Sequence, residues 1–257
     1  DKSDMDAVIE LGQKLHETLE PLFMRRMKHE LCNNGGDLAG LPKKIIHKTE
    51  EVMPLPQKIA YAQVIERARN ETSNRATALK VIGQLRDVSL YPDIASLDER
   101  HIDKINPAKI INSSARLKAT FTELVKIATR NEKALIFSES RKMQKILKVI
   151  IEKVFNINVP TPINGEMNAE YRQKIVDKFN AETGFAVLVL SPLAAGVGLN
   201  IASANHVIHL SRHWNPAKED QATDRAYRIG QTKDVEVCIP MAVHPDFGEN
   251  GTFDKKL

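Results

Sequence analysis

Residues 186–190 have the sequence AVLVL, five consecutive apolar residues. A strand with one face in water would alternate apolar and polar residues, so this run predicts a strand that is covered on both faces. A similar apolar run occurs at 134–137, and short, mainly apolar strands are predicted at 207–210 and 235–239. Apolar strands that alternate with helices are typical of a parallel sheet with right-handed crossovers. The sequence therefore predicts an α/β fold, a parallel sheet with helices on both faces.

Helical periodicity fills the intervals between these runs. Before residue 110 the pattern is mainly helical, with one extended stretch near 45–52 that could form a strand. These changes divide the chain into a junction and helical protrusion at 1–110, an α/β lobe at 111–245 and the start of a C-terminal extension at 246–257. The predicted helices cover residues 5–31, about 57–91, 115–130, 141–154, 168–180 and 217–228.

Composition narrows the class of protein. The net charge of +4 permits a polyanionic partner without requiring one. Aromatic residues, at 5%, are sparse for a protein that stacks the bases of single strands. Cys32 and Cys238 belong to no CxxC pair, which predicts two free thiols in a reducing compartment and no zinc site. Because no long apolar run or secretory signal is seen, we expect a cytoplasmic protein without a membrane partner.

Histidines offer no metal site either. His206 and His209 flank one predicted strand at a separation of three, so they face opposite sides of the sheet and cannot share a metal ion.

Three loops follow predicted strands or lead from them into helices, where parallel sheets bind ligands. The loop at 138–142 begins with Ser138 and includes Arg141, whose donors suit phosphate, although Ser138 or Ser140 could simply cap the next helix. The loop at 191–200 is rich in small residues, which let the backbone approach a ligand closely.

The third segment, residues 221–231, is the most informative of the three. On the predicted helix, Arg225 and Arg228 lie one turn apart and Gln221 lies one turn further back. Two adjacent guanidiniums suit a polyphosphate. The alternative is a solvated helix in which these arginines pair with Asp220 and Asp224.

Together the three segments resemble motifs of the Swi/Snf family in helicase superfamily two. Residues 133–138 resemble motif IV, residues 191–201 resemble motif V, and QATDRAYRIGQ at 221–231 is close to the family signature of motif VI. Upstream, residues 22–28 with Leu-Pro-Lys at 41–43 resemble the family's junction. The resemblance covers nearly the whole chain in the right order.

Some positions depart from the family pattern. Leu193 stands where a basic residue is usual, Ala195 replaces a glycine, and Glu139 stands where Gln is common. These departures predict weaker DNA contact through motif V. Residues 240–245 resemble bacterial members in particular.

The resemblance implies a C-terminal RecA-like lobe of a DNA-dependent ATPase that translocates on duplex DNA. In such proteins two lobes clamp ATP, and this lobe would supply Arg225 and Arg228 as arginine fingers, with Gln221 positioning them or the attacking water. The other residues implied are Gly196, Gly198 and Asn200 for coupling ATP to DNA, and Ser138, Arg141, Arg116, Arg172 and Ser191 for contacts with DNA.

The implied partners are duplex DNA and the first RecA-like lobe of the same polypeptide, which carries the Walker motifs. The glycines at 35 and 40 have Walker A spacing, but Leu41 and Pro42 follow where Lys-Ser/Thr is required. The DExH string at 98–101 follows no buried strand. We therefore expect ATP and Mg²⁺ only in the complete two-lobe protein, and an inactive, monomeric isolated lobe. A bacterial protein of this kind would associate with the nucleoid.

The sequence leaves one other class of function open. The departures in motif V also fit a non-catalytic nucleic-acid or protein binding module that keeps helicase architecture. An RNA helicase lobe is disfavoured by the RIGQ ending at 228–231 and by the helical segment at 57–91.

Overall fold

A computed structural model describes residues 41–256 apart from 71–74, 195–197 and 248–250, together with a few helical residues between 8 and 18. The chain divides into two compact units, Asp1–Leu41 and Pro42–Leu257. Most of the helix predicted at 5–31, and the whole junction at 22–28, lie outside the described residues. The boundary predicted near residue 110 falls within the second unit, and the proposed domain limits stay a prediction.

The second unit contains a five-stranded sheet in the order β1-β5-β4-β2-β3, and all neighbouring strands are parallel. The α/β prediction is therefore confirmed. The strands are β1 (Lys44–Val52), β2 (Lys133–Phe137), β3 (Ala186–Leu190), β4 (His206–His209) and β5 (Val235–Val243).

Side-chain caps mark where most of the helices begin. Ser114, Ser140, Asn168 and Asn215 each accept a hydrogen bond from a backbone amide in the first turn of the helix that follows. The helices are α1 (Leu55–Asn70), α2 (Arg75–Leu90), α3 (Pro107–Asn112), α4 (Ala115–Thr129), α5 (Arg141–Phe155), α6 (Ala169–Ala181) and α7 (Pro216–Thr223), with 3₁₀ helices at Glu99–Lys104 and Phe253–Lys255.

The bounds of the helices sharpen two of the predictions. The long helical region predicted at about 57–91 contains two helices, α1 and α2, on either side of residues 71–74. The helix predicted at 217–228 ends at Thr223. The predictions at 115–130, 141–154 and 168–180 agree with α4, α5 and α6 to within a residue at each end.

Both faces of the sheet are buried at β2 to β5, as the apolar runs predict, whereas the residues of the edge strand β1 are exposed or half-buried. Ile136 and Val189 pack with α4 and α5 on one face. Leu135 and Leu188, one residue away along the same strands, pack with α6 and α7 on the other. The two-residue period of a strand thus divides the core into two layers.

One strand of the sheet comes from the segment before residue 110. All nine residues of β1 pair with β5, as Lys44 opposite Val235 and Val52 opposite Val243 show. Cys238 on β5 is a free, buried thiol whose pKa is raised by burial. Cys32 lies outside the described residues.

The residues assigned to a C-terminal extension include a segment that packs into the second unit. We call Thr252–Lys255 the C-terminal clip. Thr252 Oγ1 accepts from the amide of His244 at 3.0 Å, and the amide of Phe253 donates to the Tyr61 hydroxyl at 2.9 Å. Asp254 is buried and accepts from the amide of Ala242 at 2.6 Å. The clip therefore joins α1 to the end of β5.

Neither a membrane span nor a metal cluster is found in the part of the chain that the structure describes. No described helix is long and apolar enough to cross a bilayer. No group of three or more His, Cys, Asp or Glu side chains among those residues is arranged to hold a metal ion.

Candidate functional site

Two of the loops singled out from the sequence, 138–142 and 191–200, begin at the carboxyl-terminal edge of the sheet, as does the segment after β4, because all strands are parallel. The amide of Ser138 donates to the last carbonyl of β3 at 3.0 Å, and the amide of Ser211 donates to Phe137 at 3.2 Å. The amide of Ser191 donates to Ile163 at 2.8 Å. The three serines therefore lie side by side, each one or two positions beyond its strand.

Ser138 faces the protein interior and not this edge. Its side chain is fully buried, with Oγ 3.4 Å from Oγ of Ser211, and its carbonyl accepts from Nε2 of Gln144 at 2.6 Å. The cap of α5 is Ser140, whose Oγ accepts from the amide of Met143. The expected DNA contact through the Ser138 hydroxyl is thus corrected, since a buried hydroxyl does not reach a phosphate.

Arg116 is a second correction. Its side chain is 1% exposed, and its guanidinium forms a bidentate ion pair with buried Asp254 of the C-terminal clip. Nη1 donates to the carbonyl of Leu210 at 3.0 Å. The guanidinium is committed inside the fold, so it does not face DNA.

The remaining residues assigned to DNA are accessible. Arg141 is exposed in the first turn of α5 and pairs with Glu166. Arg172 on α6 is half-buried, with Nε 3.4 Å from the carbonyl of Asn168. Ser191 is half-buried at the end of β3. These three residues stay candidates for DNA contact.

The small-residue loop after β3 is only partly described, and Gly196 lies outside the described residues. Gly198 has φ +64°, a left-handed conformation that favours glycine. Asn200 is exposed, and its carbonyl accepts from Nδ2 of Asn180 on α6 at 3.0 Å. Leu193, which stands where a basic residue is usual, is 63% exposed.

The two arginines of the third segment lie in a turn and not on a helix. We call residues 224–230 the arginine turn, which follows α7. The carbonyl of Arg225 accepts from the amide of Ile201 at 3.0 Å, where an α-helix would use the amide of Ile229. α7 itself ends at Thr223, with Asp224 as its C-cap. The predicted spacing of one helical turn between Arg225 and Arg228 is therefore wrong.

The arginine turn nevertheless presents both guanidiniums near each other. Arg225 is half-buried, and its Nε is buried without a hydrogen-bond partner. Burial first, and the nearby charge of Arg228 second, lower the pKa of Arg225. Arg228 and Gln221 are exposed. Asp220 pairs with Lys44 of β1 at 3.1 Å, so it is not committed to either arginine.

Gln231 joins the arginine turn to the loop after β3. Its Nε2 donates to the carbonyls of Ala204 at 2.8 Å, Ala202 at 3.1 Å and Ala226 at 3.4 Å. Its Oε1 accepts from the amide of Lys233 at 3.0 Å. The RIGQ string drew attention to this position, but the sequence did not reveal that Gln231 binds two segments together.

The sequence of this chain is similar to those of helicase-like ATPases. The model of the helicase conserved C-terminal domain matches residues 117–230. Zorya protein ZorD of Escherichia coli O139:H28 (strain E24377A / ETEC) is 35% identical over 89% of this chain. YwqA of Bacillus subtilis (strain 168), which bears the name of an ATP-dependent helicase/translocase, is 32% identical over 88% of it. The chain spans 21% and 24% of the lengths of these two relatives.

Solved structures agree in fold. The C-terminal domain of the Sulfolobus solfataricus SWI2/SNF2 ATPase superposes with a TM-score of 0.61 at 25% identity, covering 78% of this chain and 80% of that one. The core of the same ATPase in complex with dsDNA has a TM-score of 0.61 at 29% identity, covering 90% of this chain and 47% of that one.

Proposed function

Because this chain is a C-terminal RecA-like lobe of the SWI2/SNF2 family of helicase-like ATPases, we propose that it is the second motor lobe of an ATP-dependent duplex-DNA translocase. The observation that carries the proposal is the position of the arginine turn: Arg225 bonds directly to the loop after β3, and Gln231, just beyond the turn, bonds to both. The arginine turn, which suits phosphate, is thereby joined to the loop after β3, which begins at the proposed DNA contact Ser191.

The residues of the arginine turn fit the terminal phosphates of a nucleotide. A buried guanidinium donor without a partner costs free energy, and Nε of Arg225 is such a donor. Arg228 adds a second positive charge on the exposed side. In the proposal both side chains stabilise the charge of the transferring phosphoryl group, and Gln221 orients them or the attacking water. ATP with Mg²⁺ supplies that phosphoryl group in the two-lobe protein.

The proposed DNA contacts are Arg141, Arg172 and Ser191. Their donors suit phosphate oxygens, so binding would be largely independent of sequence and sensitive to salt. Duplex DNA is the substrate we propose because the core of the Sulfolobus ATPase is known in complex with dsDNA. Exposed Leu193 adds no charge where the family pattern has one, which weakens this side of the interface.

Coupling between the two sites is assigned to Gly196, Gly198 and Asn200. The left-handed Gly198 lets the backbone turn where the loop leaves the edge of the sheet, and Asn200 is held by Asn180. Ile201, the next residue, bonds to Arg225. Movement of the arginine turn would therefore pull on this loop.

The other half of the motor is the first RecA-like lobe of the same polypeptide, which would provide the Walker A and B residues. The isolated lobe is accordingly proposed to be monomeric and inactive as an ATPase. In a bacterial cell the complete protein would act at the nucleoid.

The test is DNA-stimulated ATP hydrolysis by the two-lobe protein carrying Arg228→Ala. Loss of a stabilising arginine lowers kcat roughly a thousandfold. Arg130→Ala is the matched control, since Arg130 pairs with Glu236 near the amino-terminal ends of the strands and should leave kcat unchanged.

Unchanged turnover in Arg228→Ala would contradict the proposal. Absence of any ATPase activity in the two-lobe protein, with duplex binding that survives replacement of Arg225 and Arg228, would favour the non-catalytic binding module instead.

A further inference from the structure

His209 is a buried histidine at the carboxyl end of β4, on the face covered by α6 and α7. It is 2% exposed, and its ring stacks on Phe137 with a centroid distance of 5.3 Å and an interplanar angle of 18°. Nε2 lies 2.8 Å from Oγ1 of Thr223, whereas Nδ1 is buried without a partner. The one hydrogen bond recorded for this ring therefore goes to Thr223.

Thr223 is the last residue of α7 and immediately precedes the arginine turn. Its carbonyl accepts from the amides of Ala226 and Tyr227, both at 3.0 Å. The same residue thus bonds to the sheet through its side chain and to the turn through its backbone. Arg225 lies in the chain between Thr223 and Ala226, the two ends of one of these backbone hydrogen bonds.

Stability alone does not explain why position 209 holds a histidine. An apolar side chain would fill the space beside Phe137 without leaving Nδ1 unpaired, and an unpaired buried polar atom is unfavourable. The contact that an apolar residue could not make is the one with Thr223. That contact connects a rigid central strand to the segment on which the proposed catalysis depends.

We propose that His209 is a positioning residue, which fixes the arginine turn on the sheet through its hydrogen bond with Thr223. The inference rests on the proposed function of Arg225 and Arg228. Misplacing a catalytic group by about 1 Å can lower the rate roughly a hundredfold. A hydrogen bond that holds the base of the turn is therefore expected to affect kcat more than the binding of ATP or DNA.

The experiment compares Thr223→Val and Thr223→Ser in the two-lobe protein. Valine keeps the shape of threonine and removes the hydroxyl, so we expect kcat of the DNA-stimulated ATPase to fall roughly tenfold or more. We expect the KM for ATP and the Kd for duplex DNA to change by less than about twofold. Serine restores the hydroxyl and should recover most of kcat.

Replacing His209, the other residue of this hydrogen bond, tests the inference independently. His209→Leu should reduce kcat as Thr223→Val does, and the double variant should be no slower than the single ones, because both remove the same interaction. If Thr223→Val is poorly folded, His209→Leu gives the same decision.

His206→Gln is the matched control. His206 lies at the other end of β4, faces the opposite side and bonds to Glu132 at 2.6 Å. We expect this variant to lower Tm without a selective loss of kcat. In His206→Gln, any loss of activity should only reflect the loss of folded protein. If the loss of kcat in Thr223→Val is likewise no larger than its loss of folded protein, the inference is overturned.

Arg228→Ala, measured in parallel, separates the two proposals. If Arg228→Ala is slow and both Thr223→Val and His209→Leu keep full kcat, the positioning role is refuted and the proposed function stands. If Arg228→Ala itself keeps full kcat, the proposed function fails and the positioning role fails with it.

Discussion

At the scale of single residues, two arginines at or near the proposed DNA contacts are paired with carboxylates of the same chain. Arg141 pairs with Glu166, and Arg86 of α2 pairs with Glu139 at 2.9 Å. Glu139 stands where the family commonly has Gln, so its charge neutralises a neighbouring arginine. Phosphate would have to compete with these carboxylates, and exposed ion pairs are weak enough to exchange.

Glu166→Gln should therefore strengthen duplex binding. Removing the carboxylate frees Arg141 for phosphate, and the gain should be about two- to fivefold in Kd, since an exposed pair contributes up to about 1 kcal/mol. The measurement is DNA affinity of the two-lobe protein over a series of salt concentrations. Glu170→Gln is the control, because its partner Lys174 is not assigned to DNA; weaker or equal binding by Glu166→Gln would exclude Arg141 from the interface.

At the scale of elements, the C-terminal clip holds together parts that are far apart in sequence. Asp254 bonds to Arg116 at the start of α4 and to the amide of Ala242 on β5. Arg116 in turn donates to Leu210, just beyond β4. The ring of Phe253 contacts Trp214, ahead of α7, with centroids 6.1 Å apart. The clip thus supports the loop that leads into α7.

Asp254→Ala is expected to destabilise the protein by about 3–5 kcal/mol, because it leaves the buried charge of Arg116 without a partner. Lys255→Ala removes the 3.0 Å pair between half-buried Lys255 and exposed Glu50, leaves no buried charge unpaired, and should cost about 1 kcal/mol. Urea unfolding measures both, and Trp214 fluorescence can report local loss of the clip. Equal effects of the two substitutions would show that the Arg116–Asp254 pair is not decisive.

At the scale of the whole molecule, buried titratable groups make stability depend on pH. Burial lowers the pKa of His209 to about 4 and also lowers the pKa of His244. Burial alone would raise the pKa of Glu132, but hydrogen bonds from Lys233 and His206 bring it to about 2. In each case the unfolded chain binds a proton at a higher pH than the folded one does. Stability is therefore lost as the pH falls.

The free energy of unfolding should decrease by about 2 kcal/mol between pH 7 and pH 5 from His209 alone, because the unfolded imidazole takes up a proton near pH 6.5 and the folded one near pH 4. Glu132 extends the decrease below pH 4.5. Urea unfolding at several pH values measures the slope. His209→Gln should flatten it between pH 7 and pH 5, and an unchanged slope in that variant would show that His209 is not the group that titrates.

Local patterns predicted much of this fold and the order of its candidate motifs. Apolar runs and helical periods depend on near neighbours, so β2 to β5 and α4 to α6 could be predicted directly, as could the position of the loops after β2 and β3 at one edge of the sheet. The candidates Arg225, Arg228 and Gln221 came from short sequence patterns for the same reason. Their proposed roles await the experiments above.

Contacts between distant residues decided what the sequence could not. Asp254 lies 138 positions from Arg116, and no local period signals that this arginine is buried in an ion pair. α7 ends five residues earlier than its pattern predicts, and beyond its end the carbonyl of Arg225 accepts from the amide of the distant Ile201. Helical periodicity describes only the preference of a segment for its own hydrogen bonds. The tertiary structure alone decided which backbone groups bond to a distant segment. It therefore also decided where the two arginines lie.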